Sequence, residues 1–188
     1  MIHGFTGDEN SMWVFSHGFP HDYWMFAPRA PHPVETGGYS WRARLDGTFG
    51  RPSFEMLKPA ADDLIQVIDE YAASVNIDPA QFDVIGFSQG GAMTSMLGLL
   101  YPDRIRKMGV LAGFVPSGAD EFISSRPLAG KKVFVAHGTL DEMVPVDRAY
   151  DAVKQFEAAG AQVDYCEDEI KHKMSPKLLR ALGAYLKD

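Results

Sequence analysis

A chain of 188 residues is long enough to bury a core without disulfide bonds, and we expect one domain over residues 1–188. With 46% hydrophobic and 23% charged residues, the composition excludes a disordered chain. The formal net charge of −7 argues against a nucleic-acid partner, because an acidic surface repels phosphate backbones.

Short apolar runs bounded by glycine, proline or charged residues predict the buried strands of the protein. In chain order, the predicted strands cover residues 23–27, 82–87, 107–112, 132–136 and 162–167. Between most of them, apolar residues recur every three or four positions, which is typical of helices with one buried face. The predicted helices cover residues 54–73, 89–101, 146–159 and 176–186.

The alternation of these strands and helices predicts an α/β fold with a mostly parallel, doubly wound sheet and helices on both faces. Pro145 and Gly160 flank the third helix and mark its start and its end. Residues 28–52 are different, since they show no clear period, and loops of that length are usually functional or flexible. The aromatic side chains Tyr39, Trp41 and Phe49 in this loop either cover a binding site or anchor the loop to the surface.

The motif Gly86-Phe87-Ser88-Gln89-Gly90 lies between a predicted buried strand and a predicted helix, which is the setting of a nucleophilic serine. The turn is so tight that Gly86 and Gly90 leave no room for a side chain, and Ser88 takes a strained backbone conformation. Free N–H groups and the positive dipole end of the following helix then face the reacting oxygen. The alternative is a glycine-rich turn between a strand and a helix without any catalytic role.

A serine hydroxyl needs a base, and only His137 and His172 follow Ser88 in the chain. His172 lies between the last predicted strand and the last helix, at the end of the sheet where catalytic groups collect. In the chain order serine, acid, histidine, Asp141 is the orienting acid and His172 is the base. His137 ends a predicted strand, and we expect it to hydrogen-bond within its own loop.

Each of these assignments has an alternative. Glu142 and Asp147 compete with Asp141 for the acid, although both fit the pattern less well. His172, which stands between Lys171 and Lys173, could by itself be a solvated loop histidine.

Several segments together resemble the phospholipase/carboxylesterase family of the α/β-hydrolases, which includes small bacterial carboxylesterases and acyl-protein thioesterases. They follow the family's order along nearly the whole chain: 3–10 (HGFTGDEN), 27–31 (APRAP), 38–41 (GYSW), 86–91 (GFSQGG), 137–145 (HGTLDEMVP) and 172–173 (HK). The resemblance implies the α/β-hydrolase fold and a serine esterase that needs no metal or organic cofactor.

The resemblance also implies an oxyanion hole made by the backbone N–H groups of Gln89 and Phe5. A second His-Gly pair at His17-Gly18 is the alternative to the first, but only the first is followed by GDEN in the family manner. In the family a full buried strand, and usually one or two more, precedes the first pair. Only Met1 and Ile2 precede it here, so we expect the N-terminal strands to be shortened or missing. A homodimer formed by strand exchange is one way to fill such a gap.

The expected function is hydrolysis of small, short-chain carboxylic esters through an acyl-enzyme, with activity falling below about pH 6.5, where imidazole groups protonate. The candidate substrate-binding residues are Trp41, Leu140, Met143 and Met174. A thioesterase, a lysophospholipase and a catalytically silent ligand-binding protein on the same fold are the alternatives.

Cysteine content and hydropathy bear on the location of the protein. The single cysteine, Cys166, excludes an intrachain disulfide and suits a reducing compartment. No window reaches the roughly 18 consecutive apolar residues of a membrane-spanning helix, and residues 1–10 do not resemble a signal peptide. We therefore expect a cytoplasmic protein without a membrane span.

Overall fold

The computed structural model of the protein describes residues 1–43 and 52–188. A 3₁₀-helix (Trp13–Gly18) and a short antiparallel hairpin, β1 (His32–Pro33) and β2 (Tyr39–Ser40), precede the main sheet. The main sheet consists of parallel strands in the order of the chain: β3 (Phe82–Phe87), β4 (Ile105–Leu111), β5 (Lys132–Gly138) and β6 (Gln162–Asp168). The carboxyl ends of all these strands therefore lie at one edge of the sheet.

Helices connect and follow these strands. They are α1 (Phe54–Ser74), α2 (Gln89–Leu100), a 3₁₀ turn (Pro102–Arg104), α3 (Asp120–Ser124), α4 (Asp147–Ala158) and α5 (Pro176–Lys187). Two long helices begin at serine caps: the hydroxyl of Ser53 accepts the N–H of Met56, and that of Ser175 accepts the N–H of Leu178. Within the part of the chain that the structure describes, no helix is long and apolar enough to cross a membrane.

The helices cover both faces of the sheet. On one face α1, α2 and α4 enclose the larger core, which includes Leu57, Met93 and Phe156. Helix α2 is buried from Gln89 to Leu99, which explains why its sequence is apolar on all sides. On the other face α5 packs over a smaller core. The predicted α/β fold with helices on both faces is confirmed.

The strands and helices that were predicted from residue 54 onward are present, with ends that differ by at most two residues. The prediction of a strand at residues 23–27 is wrong. Side chains of this segment instead make separate contacts with the rest of the protein. The hydroxyl of Tyr23 donates to Oδ2 of Asp83 at 2.7 Å, and the ring of Phe26 stacks on that of Tyr71 with centroids 4.4 Å apart. No ladder of backbone hydrogen bonds joins this segment to β3, and a cavity of about 120 Å³ lies between the two.

Ile2 occupies the position beside β3. Its N–H donates to the carbonyl of Ile85 at 2.8 Å, and its carbonyl accepts the N–H of Phe87 at 3.1 Å. This parallel bridge, between Ile2 and Gly86, is the part of an N-terminal strand that the described residues contain. It places the residues that follow Ile2 beside the carboxyl end of β3.

Candidate active site

The turn after β3 has the strained geometry that its glycines predict. Ser88 has φ 57° and ψ −117°, which a residue with a side chain rarely adopts. A Cβ atom on Gly86 would lie 2.0 Å from the carbonyl oxygen of Gly90, and one on Gly90 would lie 2.0 Å from that of Ile2. The prediction that neither position has room for a side chain is confirmed.

Ser88, His172 and Asp141 form one hydrogen-bonded chain. The hydroxyl of Ser88 lies 2.9 Å from Nε2 of His172, and Nδ1 of His172 lies 2.6 Å from Oδ2 of Asp141. The carboxylate is fully buried, and the imidazole is 12% exposed. Because the three residues follow β3, β6 and β5, the parallel sheet brings together positions that lie far apart in the sequence.

The loop after β5 fixes the carboxylate of Asp141. Oδ1 accepts the backbone N–H groups of Met143 and Val144, both at 2.9 Å, which leaves Oδ2 directed at His172. The alternative acids lie elsewhere. The side chain of Glu142 is 80% exposed and pairs with Lys171 at 3.6 Å, and Asp147 is an exposed residue in the first turn of α4.

His137 hydrogen-bonds within this loop, as predicted. It is fully buried, and its Nε2 lies 2.7 Å from the carbonyl of Val144 and 3.5 Å from Oδ2 of Asp141. Nε2 must carry the proton, since a carbonyl can only accept. Burial lowers the pKa of His137, and Nδ1 has no hydrogen-bond partner among the described residues. The imidazole is therefore held neutral.

Stability should fall as the solution is acidified from pH 7 to pH 5. Burial also lowers the pKa of His3, so both folded imidazoles resist protonation, whereas in the unfolded chain they protonate below about pH 6.5. The unfolded state then binds more protons, and stability is lost from about pH 6.5 downward. Urea midpoints at pH 5, 6, 7 and 8 measure this loss. His137→Gln, which keeps an N–H donor but cannot titrate, should show a smaller decline.

His21→Gln is the matched control for that experiment, because His21 is exposed. Its midpoints should follow those of the wild type at every pH. Equal declines in the wild type and in His137→Gln would contradict the argument for His137.

Two aromatic residues at the site carry no signal that singles them out in the sequence. Phe87, the variable residue before Ser88, packs against the imidazole of His172 with ring centroids 4.9 Å apart. Phe15, from the 3₁₀-helix, stacks on Phe87 at 5.7 Å. Phe87 restrains the imidazole through packing and Phe15 supports Phe87 in the same way, and apolar packing of this kind has no sequence motif.

The segment that contains Phe5, one of the two expected oxyanion donors, lies beside Ser88. A Cβ atom on Gly4 would be 3.1 Å from Cβ of Ser88, so the backbone just before Phe5 packs closely against Ser88. Gln89 is the first residue of α2. The alternative pair, His17-Gly18, ends the 3₁₀-helix, where Gly18 packs against Gly183 of α5.

The candidate substrate-binding residues differ in their exposure. Leu140 and Met143, on either side of Asp141, are 49% and 73% exposed. Met174 is half-buried and packs against the smaller core. Trp41 is 2% exposed and belongs to the larger core, which leaves almost no surface for a substrate. Phe49, in the same predicted loop, lies outside the described residues.

Within residues 1–43 and 52–188, no group of three or more histidine, cysteine, aspartate or glutamate side chains is arranged to hold a metal ion.

Comparisons with known proteins show the family. The chain matches the phospholipase/carboxylesterase family over residues 1–188. Carboxylesterase SOBER1 of Arabidopsis thaliana is 30% identical over 87% of this chain and 75% of its own length. Acyl-protein thioesterase 1 of Saccharomyces cerevisiae is 26% identical over 99% of this chain and 89% of its own.

The fold is shared with solved structures at lower identity. The crystal structure of the Bacillus cereus carboxylesterase superposes with a TM-score of 0.86 at 21% identity, covering 99% of this chain and 85% of that one. This likeness shows the α/β-hydrolase fold, and the sequence match adds the family. The chain therefore belongs to the phospholipase/carboxylesterase family of the α/β-hydrolases, a family of carboxylic-ester hydrolases.

Proposed function

We propose that the protein is a serine carboxylesterase in which Ser88 is the nucleophile, His172 the base and Asp141 the orienting acid. The observation that carries the proposal is the unbroken hydrogen-bonded chain from the Ser88 hydroxyl to the Asp141 carboxylate. Because Nδ1 of His172 donates to a carboxylate, Nε2 is left free to accept the serine proton.

The reaction proceeds by two acyl transfers. His172 removes the proton of Ser88 as the hydroxyl oxygen attacks the ester carbonyl, and it returns that proton to the departing alcohol. Water then attacks the acyl-enzyme in the same way, which releases the acid and restores Ser88. The backbone N–H groups of Gln89 and Phe5 are the proposed donors to the oxyanion that forms in each step.

The proposed substrates are small esters with short acyl chains. Leu140 and Met143 form an exposed apolar border beside Asp141, which suits a short acyl or alcohol group rather than a fully enclosed chain. Met174 stays a candidate for the inner wall, whereas the burial of Trp41 argues against direct contact between it and a substrate.

Hydrolysis of p-nitrophenyl esters from acetate to palmitate tests this substrate class. We expect kcat/KM to reach its highest value at acetate or butyrate and not to rise again by laurate, because an open site contributes little to the binding of each further methylene. A maximum at laurate or palmitate would contradict the short-chain proposal, while leaving the serine mechanism intact.

A thioesterase is the second candidate function, because a relative that covers 99% of this chain is an acyl-protein thioesterase. The same three residues serve both reactions, so geometry does not separate them. Butyrate presented as an oxygen ester and as a thioester, at equal acyl length, separates them by kcat/KM. We expect the oxygen ester to be preferred.

A silent binding protein on this fold is the non-enzyme alternative. A fluorophosphonate probe distinguishes it, since only a serine activated by a base reacts with the probe. We expect one probe per chain, attached to the peptide that contains Ser88. An unlabelled but folded protein would favour the silent alternative.

Location and assembly are also proposals. The single cysteine, Cys166, suits a reducing compartment, and we propose the cytoplasm, to be tested by cell fractionation. The edge of β3 is paired by Ile2 at one bridge, so a second copy could add a strand there. Gel filtration with light scattering tests for that homodimer.

A further inference from the structure

Trp41 joins two separate parts of the molecule through two hydrogen bonds. Its backbone N–H donates to Oε1 of Gln89 at 3.0 Å, and its indole Nε1–H donates to the carbonyl of His3 at 2.8 Å. Both bonds are buried, and the Trp41 residue is 2% exposed. Since water cannot replace a buried hydrogen bond, each contact restrains its partner strongly.

The two partners of Trp41 carry the two proposed oxyanion donors. Gln89 supplies one donor from its own backbone N–H, and His3 lies two residues before Phe5, which supplies the other. We propose that Trp41 is a positioning residue that fixes the separation of these two donors. The inference rests on the proposed serine-esterase function. It means that Trp41, which does not contact the substrate, affects the rate of ester hydrolysis.

The main sheet holds the segment around Phe5 at one point, so contacts outside the sheet, including that of Trp41, restrain the rest of it. Ile2 forms the bridge to β3, and beyond it the segment leaves the sheet. Its next backbone hydrogen bonds to another element are those to the hairpin: the N–H of Thr6 donates to the carbonyl of Tyr39 at 3.0 Å, and the carbonyl of Gly7 accepts the N–H of Tyr39 at 2.9 Å. Trp41 extends this attachment from the hairpin to His3.

The same hairpin is tied to the helix that carries the other donor. Ser40, the last residue of β2, lies next to Trp41, and its hydroxyl accepts a hydrogen bond from Nε2 of Gln89 at 3.2 Å. The side-chain amide of Gln89 thus binds Ser40, at the end of the hairpin, and Trp41, which follows it. A shift of the hairpin would therefore move the Phe5 segment relative to α2.

The indole also packs against His3, with ring centroids 5.1 Å apart. The imidazole of His3 is itself fixed, because Nε2 accepts the N–H of Ala30 at 3.0 Å and Nδ1 lies 2.7 Å from the carbonyl of Gly4. Phenylalanine at position 41 fills most of this space but cannot donate to the carbonyl of His3. The variant Trp41→Phe therefore removes one hydrogen bond while most of the packing stays.

The test compares Trp41→Phe with the wild type and with Trp24→Phe. The second variant makes the same chemical change on a side chain that is 64% exposed, so it should leave activity unchanged. We expect kcat of Trp41→Phe to fall at least about tenfold with KM within about twofold, because displaced donors weaken binding of the oxyanion but not of the ground state. Affinity for a trifluoromethyl ketone, which forms a tetrahedral oxyanion on Ser88, should fall by the same factor as kcat/KM.

Gln89→Met tests the hydrogen bond between Trp41 and Gln89, and it is the sole test if Trp41→Phe fails to fold. Its backbone N–H remains, whereas the acceptor for Trp41 is lost, so the same pattern of kcat and inhibitor affinity is expected. A loss confined to KM, or inhibitor affinity unchanged within twofold in a folded variant, would overturn the proposal.

Amide hydrogen exchange separates this inference from the proposed function. In Trp41→Phe, the peptide that contains residues 3–6 should exchange at least about tenfold faster than in Trp24→Phe. If the wild type proves to be neither an esterase nor reactive with fluorophosphonate, the proposed function fails, yet this measurement still tests whether Trp41 restrains the Phe5 segment. Equal exchange in the two variants overturns that positioning role whatever the activity.

Discussion

Replacement of Ser88 by alanine should reduce kcat on p-nitrophenyl butyrate by about 10⁶-fold, the scale seen when a serine hydrolase loses its nucleophile. The expected fold is unchanged. Alanine has the same Cβ atom at φ 57°, and the backbone bonds of residue 88 to Leu111 and Ala92 do not involve the hydroxyl. Initial rates and a thermal melt of the same sample measure both effects.

The control for this substitution is Ser74→Ala. The hydroxyl of Ser74 is exposed and donates to the carbonyl of Tyr71 at the end of α1. Ser74 precedes β3 and Ser88 follows it, so the two serines lie at opposite ends of that strand. Its activity and its fluorophosphonate labelling should equal those of the wild type, whereas Ser88→Ala should show no label. Rates within tenfold of the wild type in a folded Ser88→Ala protein would exclude Ser88 as the nucleophile.

The motif around Ser88 could be predicted from the sequence because its constraints are local. The glycines at 86 and 90 have no alternative, since each Cβ would meet a backbone oxygen at 2.0 Å. The assignment of Asp141 and His172 is less local. It succeeds as a prediction of proximity because parallel strands place every following loop at the same edge of the sheet.

The segment at residues 23–27 could not be predicted correctly from its composition. Its aromatic and apolar side chains have high β-propensity, but that propensity describes packing on a pleated surface, and Tyr23 and Phe26 find such packing without pairing. The place beside the end of β3 is taken by Ile2. Short-range patterns contain no information about which of two segments reaches an edge.

Trp41 illustrates the same limit within the site. Its position in a loop without a clear period, among other aromatic residues, fits both a substrate contact and an anchor. The structure distinguishes them through burial and through two bonds to His3 and Gln89, residues that lie 38 and 48 positions away. Contacts at such separations depend on the completed fold, so neither the hairpin nor the two hydrogen bonds of Trp41 can be predicted from the local sequence.

Replacement of Asp141 by asparagine should reduce kcat by about 10⁴-fold with little loss of stability. The two backbone N–H groups of Met143 and Val144 require an acceptor at the Oδ1 position, so the amide oxygen of the variant must take that place. Its NH₂ group then faces Nδ1 of His172. Nδ1 must become the acceptor, the proton moves to Nε2, and His172 can no longer accept the proton of Ser88.

Glu142→Gln is the matched control, since it makes the same chemical change one residue away, on a side chain that is 80% exposed. Its rate should stay within about twofold of the wild type. Both variants remove one negative charge from the same loop, but only Asp141→Asn changes which nitrogen of His172 carries the proton. Comparison of the two therefore separates the effect of the imidazole tautomer on kcat from the effect of charge. A fall of kcat in Asp141→Asn no larger than in Glu142→Gln would mean that Asp141 contributes only to the structure of the loop, and that the hydrogen bond to His172 does not determine which nitrogen carries the proton.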